Sequence, residues 1–598
     1  MTDMRRTLLW VVLSMSLFLI YDAWNKHNGQ PSFFNPAPAK LAAPAASAVA
    51  GLPKAAGVPG TTASPALPGA VAGAVAGEAG VATVQTTVMT DVVKATLSGA
   101  GGSLVHAELL RYPDHVEKEW YEPVLTLFGR SPAKTDAARD VVLLDQSPTR
   151  LYVAESGLIP AAGGSGLPNH HTPMALVPGP TVLAADQNTL QVKFESPVVG
   201  GVKLVKTYTF KRGDYTIDVK NEVANESGAA VSPRLYLQLV RDGVPPPGES
   251  SVYSTFTGPA IDDGNKFQKI DFKAIEKRTA TDKEDHTTNA DAGWVAMVQH
   301  YFTSAWLIDR VGDKADAAKQ PREYFTGKAD VTNPSTGQSA RVYSVGMFVP
   351  LGEIAAGATK TFDAKLFVGP QEETKLAALA PRLELVKDYG IFKILAEPLF
   401  WLLTQLHKFL GNWGWSIVGL VVLLKIAFYW LNAKAYGSMA KMKAISPKIT
   451  AMRERLKDKP QEMQQEMMRI YREEKINPLG GCLPIFVQMP FFISLYWVLL
   501  STVEMRGAPW VGWITDLSAK DPYFILPILM TLTSLLQTWL NPTPPDPVQA
   551  KMMWFMPLIF SVMFFVFPSG LVLYWLTNNI LSIAQQYIIN KRLGVLGK

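Results

Sequence analysis

IVGLVVLLKIAFYWL, residues 417–431, sets one cation in an otherwise apolar run. Lys425 lies nine residues after Ser416 and nine before Lys434. At ~1.5 Å per residue, a helix would hold it about 13 Å from either end, too deep for easy snorkelling. Four more apolar runs follow, at 482–500, 523–540, 552–567 and 571–589, and none contains a carboxylate. The pattern predicts five membrane spans after residue 415, with no ion pair available to Lys425 inside them. A midplane cation costs about 2.5–3.5 kcal/mol on insertion scales. Two states answer that cost: an ammonium in a hydrated cavity, which we favour, or a neutral amine packed in the bundle.

The loops orient these spans. Between residues 432 and 481 lie Lys434, Lys441, Lys443, Lys448, Arg453, Arg455, Lys457, Lys459, Arg469, Arg472 and Lys475. Lys591, Arg592 and Lys598 follow the last run, whereas 501–522 and 568–570 contain only Arg506 and Lys520 as basic residues. Positive loops stay in the cytoplasm. Pro568-Ser569-Gly570 forces a tight hairpin, and the short run before it implies tilt or local thinning. At the other end, residues 7–24 form a further apolar run behind Arg5 and Arg6. No small-residue cleavage site follows directly, so residues 1–24 read as a retained signal anchor. The count is six spans with both termini cytoplasmic.

The region between the first two spans is then exported. Residues 25–83 form a linker, dominated by Ala, Pro, Gly and Val from Pro36 to Ala82. From Val84 a period of two takes over. LQVKFES (190–196) alternates, as do Leu235, Leu237 and Leu239, and Phe362, Ala364, Leu366 and Val368. Tyr208 and Phe210, then Arg212-Gly213-Asp214, then Tyr215, Ile217 and Val219 mark a hairpin. We expect a β-sandwich over 84–370. His170-His171 would point to opposite faces of a strand, so the pair is a poor metal chelate. Residues 371–410 read as an amphipathic helical connector, with Leu376, Leu379, Leu383 and Val386 on one stripe. It lies either on the outer membrane surface or against the β domain.

The basic cytoplasmic loop carries its own periodicity. Met442, Ile445, Ile449, Met452 and Leu456 recur at helical spacing, as do Met463, Met467 and Ile470. Asp458-Lys459-Pro460 separates them as a turn. This is a helical hairpin, 432–476, whose methionines zip its own seam in preference to receiving apolar clients. The rest of the composition mainly excludes. A net charge of +6 over 598 residues does not mark a nucleic-acid binder, and one cysteine, Cys482, permits no intrachain disulfide. We find no nucleotide motif, no metal ligand set and no cofactor signature. Polar side chains on the other spans, including Gln488, Gln537, Asn578, Asn579, Gln585 and Gln586, can bond between helices or line a wet face beside Lys425.

Five stretches closely resemble the bacterial YidC family of membrane protein insertases: GNWGWS (411–416), SMAKMKAISPKITAMRERLKD (438–458), NPLGGCLPIFVQMPFFISLYWVL (477–499), DPYFILPILM (521–530) and FPSGLVLYW (567–575). The anchor, tether and large exported domain resemble the Gram-negative branch, whose periplasmic domain is a mutarotase-like supersandwich without known enzyme activity. The resemblance implies a monomeric five-helix core, 411–598, in the inner membrane. Its hydrophilic groove would open to the cytoplasm and to lipid. Lys425 would be the groove charge, and Tyr429, Met489, Phe492, Tyr574 and Trp575 positions along which clients slide, with Gln488 and Asn578 beside them. It also implies nascent membrane proteins as substrates, work alone or with the Sec translocon, and weak ribosome contacts through the cytoplasmic loops. One departure stands out: the family usually has arginine where this chain has Lys425. The competing readings are a small-anion transporter or channel using Lys425, and an exported enzyme on an elaborate anchor. No inverted repeat supports the first.

Overall fold

The computed structural model describes residues 84–114, 139–161, 166–246, 255–279, 282, 284, 286–308, 320–332, 339–456, 459–474, 483–541 and 547–592. The anchor, the linker and Cys482 lie outside them. The described residues fall into two units, one ending at Val386 and the other beginning at Lys387.

The first unit is a β-sandwich of two antiparallel nine-stranded sheets. One sheet runs, edge to edge, Gln85–Met89, Val93–Ser98, Ser103–Pro113, Asp140–Ser147, Arg150–Pro160, Pro233–Asp242, Ser339–Pro350, Arg322–Thr332, Asn289–Ala290. The other runs Phe267–Lys269, Gly258–Asp262, Trp294–Val298, Phe302–Leu307, Thr359–Pro370, Thr216–Asn225, Val202–Lys211, Thr189–Glu195, Ala175–Val177. Strand Val202–Lys211 shows why the pattern was readable: every second residue, from Val202 to Phe210, is buried. It turns into Thr216–Asn225 through Gly213 at φ +71°, a left-handed conformation that favours glycine. Two of the large side chains in the core show how a buried polar end is satisfied. Trp306 Nε1 donates to Gln238 O at 3.0 Å, and Tyr208 Oη donates to Gly102 O at 2.5 Å.

The stretch 371–410 is not one helix. Helix α1 (Glu373–Leu379) and a 3₁₀ turn (Leu383–Val386) belong to the sandwich unit, where Trp294 Nε1 donates to Pro381 O. A second 3₁₀ turn (Gly390–Phe392) leads into α2 (Lys393–Leu410) of the other unit. Pro381 removes a helical donor, and Arg382 and Gly390 take positive φ, so the stripe of leucines cannot stay on one rod.

The second unit continues with α3 (Trp413–Ala427), α4 (Tyr429–Arg455), α5 (Pro460–Glu473), α6 (Leu483–Ser501), α7 (Ile525–Leu540), α8 (Pro547–Phe564) and α9 (Ser569–Arg592). Helices α4 and α5 pack against each other as a hairpin. Ile445, Ile449 and Met452 are its buried core, with Met442, Leu456, Met463, Met467 and Ile470 packed on it, so these methionines close the seam. Among the described residues no single helix is long and apolar enough to cross a bilayer. Helix α3 with residues 429–438 of α4 meets length and composition together, bent by 64°. The apolar helices 487–501, 525–540 and 550–564 are shorter than a full span.

Candidate functional site

Capping residues set the helices around Lys425. Gly411 ends α2 in the left-handed conformation, and Asn412 caps α3, its side chain accepting from Trp415 N at 3.1 Å. Asn412 Nδ2 also donates to Pro509 O at 2.9 Å, tying this corner to the 501–522 loop. A Cβ on Gly414 would lie 2.2 Å from Trp510, so only glycine admits that approach. Asp521 accepts from Leu526 N and Trp513 Nε1 before α7, and Ser569 Oγ donates to Ala519 O at 2.8 Å at the start of α9.

On these helices Lys425 is half-buried, and its Nζ donates to Ser582 Oγ at 2.7 Å. Ser582 in turn donates to Asn578 O at 2.7 Å, which leaves the hydroxyl lone pairs for the ammonium. One turn past the bend, Asn432 Nδ2 donates to Gln585 Oε1 at 3.1 Å, and Asn432 Oδ1 accepts from Gln488 Nε2 at 2.9 Å. Phe492 stacks with Tyr574 at 6.0 Å and meets the edge of Trp575 at 4.4 Å. The structure thus joins Lys425 to the Asn578 turn, Gln488 to Asn432, and Phe492 to Tyr574 and Trp575. Asn578 enters through its backbone carbonyl. Tyr429 and Met489 stand outside these contacts, 42% and 51% exposed. Sequence reasoning missed Ser582 and Asn432. The signal was present: Asn578, Ser582 and Gln585 follow i, i+4, i+7 spacing on one face of α9.

The model of the 60Kd inner membrane protein family matches residues 405–594, and that of the YidC periplasmic domain matches 85–402. The membrane protein insertase YidC of Cupriavidus necator is 51% identical over 601 residues, covering 99% of this chain and 98% of that one. Its counterpart from Janthinobacterium sp. (strain Marseille) is 47% identical over 610 residues, covering 99% and 100%. The chain belongs to the YidC family of membrane protein insertases. A solved YidC insertase structure covers 84% of this chain and 92% of its own at 17% identity and a TM-score of 0.36, too loose a likeness to add to that match.

As a YidC-family member the chain is a membrane protein insertase with a periplasmic β-sandwich domain. In that domain His170 and His171 sit in a turn, not on a strand. Their rings lie side by side, 3.9 Å apart, instead of facing opposite ways. His170 Nδ1 bonds Tyr236 Oη at 2.5 Å, and burial pushes its pKa down to about 4. Among the described residues no His, Cys, Asp or Glu group could hold a metal.

Proposed function

We propose that this insertase moves the polar flank of a nascent segment along the face of α3, α6 and α9 that presents Lys425. The observation carrying this reading is the ammonium itself. It is half-buried among helices whose apolar runs lack carboxylates, and a single hydroxyl at 2.7 Å receives it among the described residues. Lys425 would attract acidic residues of a client, and Gln488 and the Asn578 turn would supply hydrogen bonds beside it. The exposed Tyr429 and Met489, with Phe492, Tyr574 and Trp575, would offer apolar contact to the hydrophobic segment. Lipid supplies the driving force. Leu, Ile, Phe and Val each contribute about −0.3 to −0.6 kcal/mol at a helix centre. Summed over ~20 residues, that offsets one or two translocated charges at about 2.5–3.5 kcal/mol each.

In this reading the chain crosses the inner membrane six times with both termini cytoplasmic. The basic 432–481 loop and the basic C-terminal tail support that orientation. Helices shorter than a full span would thin the bilayer locally and lower the barrier for the polar flank. The Sec translocon and the ribosome are proposed partners, the ribosome through the cytoplasmic loops, and the core acts as a monomer. A photocrosslinker at Tyr429 or Phe492 should capture nascent membrane proteins in a translating extract. Capture of none, with uptake of a small anion dependent on Lys425, would replace the insertase mechanism by transport.

A further inference from the structure

Lys425 and Asn432 flank the break at Phe428, three residues before it and four after. Their partners on α9, Ser582 and Gln585, are three residues apart, about 4.5 Å of helical rise. A straight helix would separate Lys425 from Asn432 by roughly 10.5 Å. The 64° bend and the long lysine side chain take up the difference. Phe428 is neither proline nor glycine, so the break has no local sequence cause of the usual kind. The side chains bonded across the break offer one. Asn432 is 4% exposed and uses both ends of its carboxamide, one toward Gln585 of α9 and one toward Gln488 of α6. A buried amide among apolar helices has no water to fall back on, so these bonds hold three helices together.

We propose that Asn432 is a positioning residue for insertion. By clamping the first turn of α4 to α6 and α9, it fixes the bend at Phe428 and keeps the Lys425 ammonium on Ser582. The inference rests on Lys425 being the charge that a client's polar flank meets.

The test uses the full chain in bilayer vesicles and two clients that differ only in the translocated flank, one with two acidic residues and one neutral. Asn432→Leu keeps the branching at Cγ and removes both bonds. It should slow the acidic-flank client about fivefold and the neutral one less than twofold. In a Lys425→Gln background it should cause no further loss. Spin labels at Val422 and Lys441 should report a distance change of several ångströms in Asn432→Leu. Gln585→Leu, which removes one of the two bonds, should shift both readouts the same way by less, and serves if Asn432→Leu does not accumulate. Equal slowing of both clients, or losses that add fully to those of Lys425→Gln, would reduce Asn432 to a packing role. An unchanged spin-label distance while Lys425→Gln still discriminates the clients overturns this proposal alone. If Lys425→Gln does not discriminate them, the groove-charge reading fails and takes the proposal with it.

Discussion

Lys206 and Lys425 put the same functional group into two kinds of interior. Lys206 lies on strand Val202–Lys211 and is fully buried. Its Nζ donates to Ser156 O at 2.8 Å, on a strand of the opposite sheet, and to Gly101 O at 2.6 Å, in the turn between two strands of that sheet. Two carbonyls match the two N–H bonds of a neutral amine, and burial pushes the group down to about 7, against the pull of Glu155. Lys425 is half-buried and, among the described residues, donates to one hydroxyl. An ammonium has three donors. The sandwich lysine is sealed and spent on holding two sheets, whereas the helical one keeps donor capacity for something that arrives. On the proposed reading of Lys425, the number of acceptors and the completeness of the seal, more than burial itself, separate a structural lysine from one that meets a client.

The contrast can be broken most severely at Lys206. Lys206→Ala leaves two buried carbonyls unpaired, at about 1–3 kcal/mol each, and opens a cavity besides. Hydrogen exchange in peptides from both sheets of the full-length chain should accelerate by the equivalent of roughly 3–5 kcal/mol; unchanged protection would show that Lys206 ties nothing. Next in size, Lys425→Glu should cut insertion of an acidic-flank client more than tenfold in vesicles, while Lys425→Arg should insert it at close to the parental rate. Equal rates for all three would make Lys425 a packing residue.

The pH dependence is smaller and has a definite sign. Between about 7 and the ordinary 10.5 the unfolded chain holds a proton on Lys206 that the folded domain lacks. Stability of the sandwich therefore rises with pH across that window and loses this slope below it. Glu155, whose pKa burial raises above 4.5, adds the opposite slope at lower pH. Lys206→Met should abolish the alkaline rise in a thermal melt followed at the β-sheet signal; persistence of the rise would assign it elsewhere. Ser582→Ala should slow the acidic-flank client about threefold, less than loss of the charge itself. Smallest of all, Lys448→Ala breaks only the exposed pair with Glu474 and should leave the hairpin's proteolysis rate unchanged.

How far the sequence could be read follows from the same physics. Strands with one face outward, such as Val202–Lys211 and Thr189–Glu195, announce themselves by alternation. Trp294–Val298 and Phe302–Leu307 are buried on both faces and show no period to detect. The hairpin seam was legible because its apolar spacing is local. The bend at Phe428 was not, because the residues bonded on either side of it have their partners 157 and 153 positions away. Lys425 stood out as a lone charge. Ser582 did not, since a serine inside a helix ordinarily bonds only its own backbone, and Asn432 read as the first residue of a loop.

Helix α4 runs without interruption from the bend to the hairpin turn, 27 residues, or ~40 Å. Its near end is held at Asn432, and its far end enters the hairpin turn. A swing of about 10° at Phe428 would carry the far end through roughly 7 Å. The short clamp at Asn432 therefore sets where the far end of α4 stands, and a small change of angle there is read out as a large displacement.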